Sequence, residues 1–128
     1  MHRLRKWIGL PAGGPEDVAE RLTGRGLFRV TRRSATLDDP ETVRGWLREL
    51  TTARDDQVLV HRPWGTVAAV ADGRHSVTVV MTDGHRSWFA TVPGSADEPN
   101  LTPAQVEHVM VDALTAPGRP EWPEWRPL

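Results

Sequence analysis

Apolar positions recur at two spacings along the chain, one typical of helices and one typical of strands. The clearest helical pattern has the i, i+3, i+4, i+7 spacing of one buried helix face. It is formed by Val43, Trp46, Leu47 and Leu50. Asp39 precedes it as a capping residue, and Pro40 suits the first helical turn. The pattern therefore predicts a helix near residues 40–51.

A second helical pattern lies in the last third of the chain. Thr102 and Gln105 have the spacing of a capping box, with Pro103 at the first helical position. The apolar stripe that follows is Val106, Val109, Met110, Ala113 and Leu114. These residues predict a helix near residues 102–115.

The N-terminal part of the chain has a weaker pattern. Residues 1–14 are predicted to be a flexible basic lead-in, followed by one domain over residues 15–128. Pro15 and the apolar side chains of residues 18–22 predict a short helix there. A strand is expected over residues 27–31.

Residues 57–92 alternate in a way typical of β structure. Asp72-Gly73 and Asp83-Gly84 are typical of two-residue hairpin turns. The first turn would place Ala68 opposite Val77, and the second would place Val79 opposite Trp88. On that register one apolar face, expected to lie against helices, holds Ala68, Val70, His75, Val77, Val79, Met81, Arg86, Trp88 and Ala90.

The order of these elements predicts the fold class. It is α+β, in two layers, with a mostly antiparallel sheet of about five strands packed by the helices near residues 40–51 and 102–115. The meander at residues 57–92 supplies most of that sheet. The tail at residues 119–128 is expected to form a final edge strand or an extended strap.

The sequence offers no catalytic or metal-binding motif. There are 0 Cys residues, and none of the 5 His residues has helical ligand spacing to another. No nucleophile elbow or glycine-rich phosphate loop is present. The absence of an apolar run of roughly 20 residues and of a secretory signal favours a cytoplasmic protein without membrane contact. We therefore expect no enzyme activity, no cofactor and no metal.

The net charge of −1 is a cancellation between two parts of the chain. Residues 1–33 carry eight basic and three acidic side chains, while residues 34–128 carry eight basic and fourteen acidic ones. Such a split is typical of an interaction surface. The arginines of the basic part could form a nucleic-acid-binding face. They are Arg25, Arg29, Arg32 and Arg33.

The end of the chain resembles a known family. The capped helix is followed by Gly118, Arg119 and Pro120, and then by Trp125 in a terminal strand. This arrangement resembles the small immunity proteins that actinobacteria encode beside polymorphic toxins. The resemblance covers roughly residues 27–128, although Pro123 interrupts the closing strand.

The resemblance implies a cytoplasmic, non-enzymatic protein that binds and blocks a cognate toxin domain. Such a protein needs aromatic anchors and a charge complementary to its partner. The contact residues it suggests are Trp64, Asp97, Glu98, Glu121, Trp122 and Glu124. A nucleic-acid-binding or regulatory accessory domain is the alternative, and a homodimer stays open.

Overall fold

A computed structural model describes residues 17–24, 30–50, 54–72, 76–95 and 98–128. Within these ranges the chain forms one seven-stranded sheet with two helices packed on one face. The strands are β1 (Val18–Gly24), β2 (Val30–Thr36), β3 (Arg54–Arg62), β4 (Gly65–Asp72), β5 (Val77–Thr82), β6 (Ser87–Thr91) and β7 (Glu124–Pro127). The helices are α1 (Pro40–Leu50) and α2 (Pro103–Ala113). The predicted lead-in over residues 1–14 lies outside the described residues.

The sheet has the order β2-β1-β3-β4-β5-β6-β7, and every neighbouring pair is antiparallel. The α+β class is thereby confirmed, while the expected count of about five strands is too low. One added strand is β1, where the sequence pattern predicted a helix over residues 18–22. That prediction is wrong because β1 lies inside the sheet and bonds to β2 on one side and β3 on the other. None of the described helices is both long and apolar enough to cross a membrane.

Both predicted main helices are confirmed, and local signals explain where they begin. The backbone N–H of Thr42 donates to Asp39 Oδ1 over 3.2 Å at the start of α1. At α2 the capping box is complete, since Gln105 N donates to Thr102 Oγ1 over 3.2 Å and Thr102 N donates to Gln105 Oε1 over 2.9 Å. The predicted apolar stripe of each helix is buried.

The helices cover what we call the first face of the sheet. Its buried side chains are Ala19, Val58, Val60, Val67, Ala69, Ala71, Val79, Met81 and Ala90. Val43 and Leu50 of α1 and Met110 of α2 pack against them, each at most 1% exposed. Burying a side chain of this size contributes about 1.5–3 kcal/mol, so this layer is the main source of stability.

The predicted register between β4 and β5 is wrong. Val77 pairs with Ala71 rather than with Ala68, and Ala68 pairs with Val80. The shift is an odd number of residues, so the side chains of β4 exchange faces relative to β5. Ala68 and Val70 therefore lie on the opposite face of the sheet, which we call the second face.

The predicted register between β5 and β6 is also shifted, but by two residues. Trp88 pairs with Met81 instead of Val79, which keeps both strands on the predicted face. The turn is longer than the dipeptide suggested, because Asp83 Oδ1 accepts backbone N–H groups of His85 over 2.9 Å and Arg86 over 2.8 Å. A two-residue hairpin turn is too short for these two hydrogen bonds, which are typical of an Asx-type turn.

Residues 114–123, which we call the strap, run from α2 to the edge strand β7. The indole N–H of Trp125 donates to the carbonyl of Pro120 over 2.9 Å. The guanidinium of Arg119 lies over the rings of Trp88 and Trp125 at 5.3 and 6.0 Å. Arg119, Pro120 and Trp125, which belong to the residues that carry the family resemblance, therefore hold the strap against the sheet. The peptide bond between Trp122 and Pro123 is cis.

Candidate functional site

The outer side of α2 and the adjoining strap form one continuous surface. We call it the α2 surface, and it consists of Glu107, His108, Asp112, Glu121 and Trp122. The helical residues belong to it because they alternate with the buried stripe of α2. Trp122 joins them because its ring meets that of His108 edge to face, with centroids 5.9 Å apart and planes at 74°.

Three open grooves meet on the α2 surface. One of about 540 Å³ runs between α2 and Arg44 of α1, and another of about 540 Å³ runs between α2 and the strap. The two share Asp112. A smaller groove of about 270 Å³ has His108 and Trp122 as walls. The whole is a broad surface with one aromatic centre, suited to contact another macromolecule rather than to enclose a small substrate.

The carboxylates of the α2 surface differ in how far they are neutralised. Glu107 Oε1 lies 3.3 Å from Arg44 Nε and 3.7 Å from Arg48 Nη2. Asp112 and Glu121 are exposed, and neither has an ion-pair partner among the residues that the structure describes. Two negative charges are thus free to meet a cation from outside.

Trp64, one of the predicted contact residues, has a structural role. Its indole N–H donates to the carbonyl of Ala116 over 3.2 Å, and the guanidinium of Arg62 lies 5.8 Å from its ring centroid. Arg62 also donates to the carbonyls of Ala113 and Ala116 over 2.8 and 3.0 Å. Arg62 and Trp64 therefore bond to the carbonyl of the last residue of α2 and to the carbonyl of Ala116 in the strap.

The predicted acidic contact residues are split between two places. Glu121 lies on the α2 surface with Trp122, as expected from their adjacency in sequence. Glu124 is half-buried in β7, where its Oε2 accepts the backbone N–H of Gly94 over 3.1 Å. Glu98 is exposed beyond β6, and Asp97 lies outside the described residues.

Sequence reasoning missed the residues that α2 itself contributes. His108 and Asp112 are four apart and lie outside the buried stripe, so they share an exposed side of the helix. The signal was present in the helical pattern, since positions off the stripe must face outward. The helical pattern could not predict that the strap places Trp122 on that side of α2.

Of the four arginines proposed as a nucleic-acid face, the structure describes Arg32 and Arg33, and these two do not lie on one face. Arg32 and Arg33 are adjacent in β2 and therefore point to opposite faces of the sheet. Arg32 Nε lies 3.0 Å from Oε2 of the buried Glu20. Arg25 and Arg29 lie outside the described residues.

Arg21 forms a buried ion-pair network beside these arginines. Its Nη2 donates to Asp56 Oδ2 over 3.1 Å, and its Nη1 donates to Glu49 of α1. The hydrogen bond from Arg21 lowers the pKa of Glu49 below its ordinary value, and the charge of Arg33 adds to that effect. We call Arg21, Arg32 and Arg33 together the arginine edge.

A buried carboxylate, an imidazole and a hydroxyl are linked on the second face. His61 Nε2 lies 2.9 Å from Glu20 Oε1, and His61 Nδ1 lies 3.0 Å from Thr66 Oγ1. Burial lowers the pKa of His61 below its ordinary value, and the charge of Glu20 opposes that shift only in part. The linkage connects β1, β3 and β4, because each strand contributes one of its members.

Within the described ranges, no group of three or more His, Asp or Glu residues is arranged to hold a metal ion. Comparison with protein-family models, with curated proteins and with solved structures finds no match to this chain. The function is therefore argued from the geometry of the α2 surface.

Proposed function

We propose that this protein is a non-enzymatic binding module of the immunity type, which binds a cognate toxin domain through the α2 surface and blocks it. The observation that carries the proposal is the position of Trp122. It lies between two grooves and beside two exposed carboxylates without ion-pair partners among the described residues, Asp112 and Glu121. A central aromatic with a polar rim is typical of a protein-binding hot spot.

The aromatic anchor is held in place before any partner arrives. Pro120 and Pro123 on either side of Trp122 are both buried, and the carbonyl of Pro120 accepts the indole N–H of Trp125. Two prolines within four positions also restrict the backbone. A preorganised anchor costs little conformational entropy on binding, which favours tight complexes.

The charge of the α2 surface suits a basic partner. Residues 34–128 have fourteen acidic side chains against eight basic ones. Asp112 and Glu121 add to this excess at the grooves themselves. Domains that act on nucleic acids are often basic, so a field of this sign would speed their capture.

The resemblance at the end of the chain supports the same interpretation. Arg119 and Trp125 hold the strap against Trp88 through stacked contacts. The residues that carry the resemblance therefore fix the position of the strap, which contains Trp122. Their role is in presenting the surface rather than in contacting the partner.

The proposal predicts that a toxin domain is encoded beside this gene, and the test uses that domain. Coexpression of the present chain should restore growth to cells that produce that toxin, and the two purified proteins should form a stable complex by calorimetry. Protection without a complex, or a complex that leaves the toxin active, would overturn the proposal. So would a gene surrounded only by housekeeping genes.

A further inference from the structure

The two edges of the sheet differ in how well they are protected against pairing with a further strand. β7 forms one edge, and it has four residues, ends in Pro127 and follows Pro123. Proline has no N–H to donate and is typical of edges that do not pair. β2 forms the other edge, and it has seven residues and no proline. The edge at β2 is therefore the one that can accept another strand.

The backbone of β2 is regular along its whole length. Its pairing with β1 runs without interruption from Val30 to Thr36, whereas the pairing of β3 with β4 contains a register shift. In an antiparallel strand, alternate residues direct their N–H and C=O groups away from the neighbour. Roughly half of the seven residues of β2 therefore present these groups outward, along a strand of about 23 Å.

The side chains of β2 are open on both faces of the sheet. Thr31, Arg32, Arg33 and Ser34 are all exposed, and successive residues of a strand point to opposite faces. The two described helices pack mainly on β3, β4 and β5. A strand added beside β2 would therefore have room for its own side chains on both faces.

The charge of β2 is of one sign and lies at the centre of the strand. β2 contains Arg32 and Arg33 and no acidic residue. Arg33 has no ion-pair partner among the residues that the structure describes. Arg32 bonds to Glu20 through Nε, but its side chain is 65% exposed. Since a guanidinium has five N–H donors, Arg32 can bind a second carboxylate through its Nη groups.

A second copy of the chain is a poor partner for this edge. Arg33 is the middle residue of β2, so two antiparallel β2 strands paired over their full length would place Arg33 of each copy opposite the same residue of the other. Like charges directly opposite each other destabilise a sheet. A segment with acidic residues at these positions gains from the same geometry, so repulsion and attraction favour the same kind of partner.

We propose that the outer edge of β2 binds an acidic, extended segment of another protein as an additional antiparallel strand. The residues opposite Arg32 and Arg33 are adjacent in such a segment, so it needs two consecutive acidic residues, one for each face of the sheet. Main-chain hydrogen bonds supply the affinity, and the acidic pair sets the register. The proposal is independent of the toxin, because the strap leads to β7 at the opposite edge of the sheet.

The test uses two synthetic peptides that differ only in charge. Both match β2 in length and alternate valine and threonine around a central pair, which is two glutamates in one peptide and two lysines in the other. Binding to the natural full chain is measured by fluorescence anisotropy at about 100 mM salt. We expect the glutamate peptide to bind at least about 10-fold more tightly than the lysine peptide.

Two matched variants locate the binding site. Arg33→Glu changes the edge, and Arg86→Glu makes the same change of charge in the exposed turn before β6. Arg33→Glu should weaken binding of the glutamate peptide at least about 10-fold and narrow its advantage over the lysine peptide. Arg86→Glu should leave the binding of both peptides nearly unchanged.

Amide hydrogen exchange measures the main-chain contacts directly. In the free chain, fast and slow amides should alternate along β2, because only the inward ones bond to β1. Saturation with the glutamate peptide should slow the fast amides of β2 at least about 10-fold and leave the amides of the strap unchanged.

Four results would overturn the proposal. The first is equal binding of the two peptides, or none by the glutamate peptide. The second is equal binding of the glutamate peptide to the two variants. The third is binding without slower exchange in β2, which would show contact through side chains alone. The fourth is slow exchange of all β2 amides in the free chain, which would show that the edge is already paired; a second copy is then the partner if that protection weakens on dilution.

Discussion

The arginine edge and the α2 surface are both rich in charge, but they differ in how that charge is used. At the arginine edge, Arg21 is paired with Glu49 and Asp56, and Arg32 is paired with Glu20. At the α2 surface, Asp112 and Glu121 are exposed without an ion-pair partner among the described residues. The first region holds the sheet to α1, whereas the second has charge available to a partner.

This difference shows why a charge count is a poor guide to a binding site. The arginines are conspicuous in the sequence, but their acidic partners come from three other places in the chain. These partners are Glu20 in β1, Glu49 in α1 and Asp56 in β3. The fold brings these carboxylates to Arg21 and Arg32, so the charge of these two arginines is offset locally. Four predictions test the contrast, beginning with the largest effect.

Arg21→Met should give the largest loss of stability. Asp56 is only 5% exposed, and the substitution leaves its charge buried without the guanidinium. We expect a loss of about 3 kcal/mol in the free energy of unfolding, measured by urea denaturation. Arg33→Met, an exposed change in the neighbouring strand, should cost less than about 0.5 kcal/mol. Equal losses from the two variants would show that the arginine edge is not structural.

Trp122→Ala should give the largest loss of affinity for the toxin domain that we propose as the partner. Truncating a central aromatic anchor typically costs about 2 kcal/mol, or roughly 30-fold in Kd. Calorimetric titration measures the change, with circular dichroism to establish that the variant is folded. Leu128→Ala, the exposed apolar residue at the other end of β7, is the control and should bind normally. If the two variants bound alike, Trp122 would not be the anchor.

His61→Gln should reduce the pH dependence of stability. Burial lowers the pKa of His61 in the folded state below its ordinary value of about 6.5. As pH falls below that value the unfolded chain takes up the proton first, so the folded state is destabilised relative to neutral pH. The loss is absent above the ordinary value and levels off below the folded pKa.

The measurement compares free energies of unfolding at about pH 7.5 and about pH 5.5. The natural chain should lose stability between the two, and His61→Gln should lose less. His85→Gln, in the exposed turn before β6, should behave as the natural chain does. The lowered pKa values of Glu49 and Asp83 act only at more acidic pH, below the ordinary range of carboxyl groups. A loss that persists in full in His61→Gln would assign it to another group.

Substituting Arg32 and Arg33 with serine should have the smallest effect. The carboxylate of Glu20 offsets the charge of Arg32, so we expect the variant to elute from immobilised DNA at nearly the same salt concentration as the natural chain. Strong retention that falls steeply with salt and disappears in the variant would instead favour the nucleic-acid alternative.

Local signals in the sequence were sufficient for the helices. The cap at Asp39 and the capping box at Thr102 act within a few residues, and the structure confirms both. The sheet was harder, because β1 is defined by partners from β2 and β3 rather than by its own short apolar pattern. The register between β4 and β5 depended on the length of one turn, and a shift of three residues exchanged the faces.

The candidate site was predicted only in part for a related reason. Trp122 and Glu121 could be proposed as contact residues from their residue types and their place in the tail. His108 and Asp112 join them because the strap folds back along α2, which no local pattern specifies. Trp64 was proposed as an exposed anchor, yet its indole N–H is used by the carbonyl of Ala116, a contact between residues 52 positions apart.

The most direct test of the central claim is the rate constant for association with the proposed toxin domain at several salt concentrations. Asp112→Asn with Glu121→Gln removes two charges from the α2 surface, and Asp38→Asn with Glu98→Gln removes two exposed charges elsewhere. We predict that the first variant associates about 10-fold more slowly at low salt and has a weaker salt dependence, while the second keeps nearly the natural rate. Equal rates for the two variants would contradict the assignment of binding to the α2 surface.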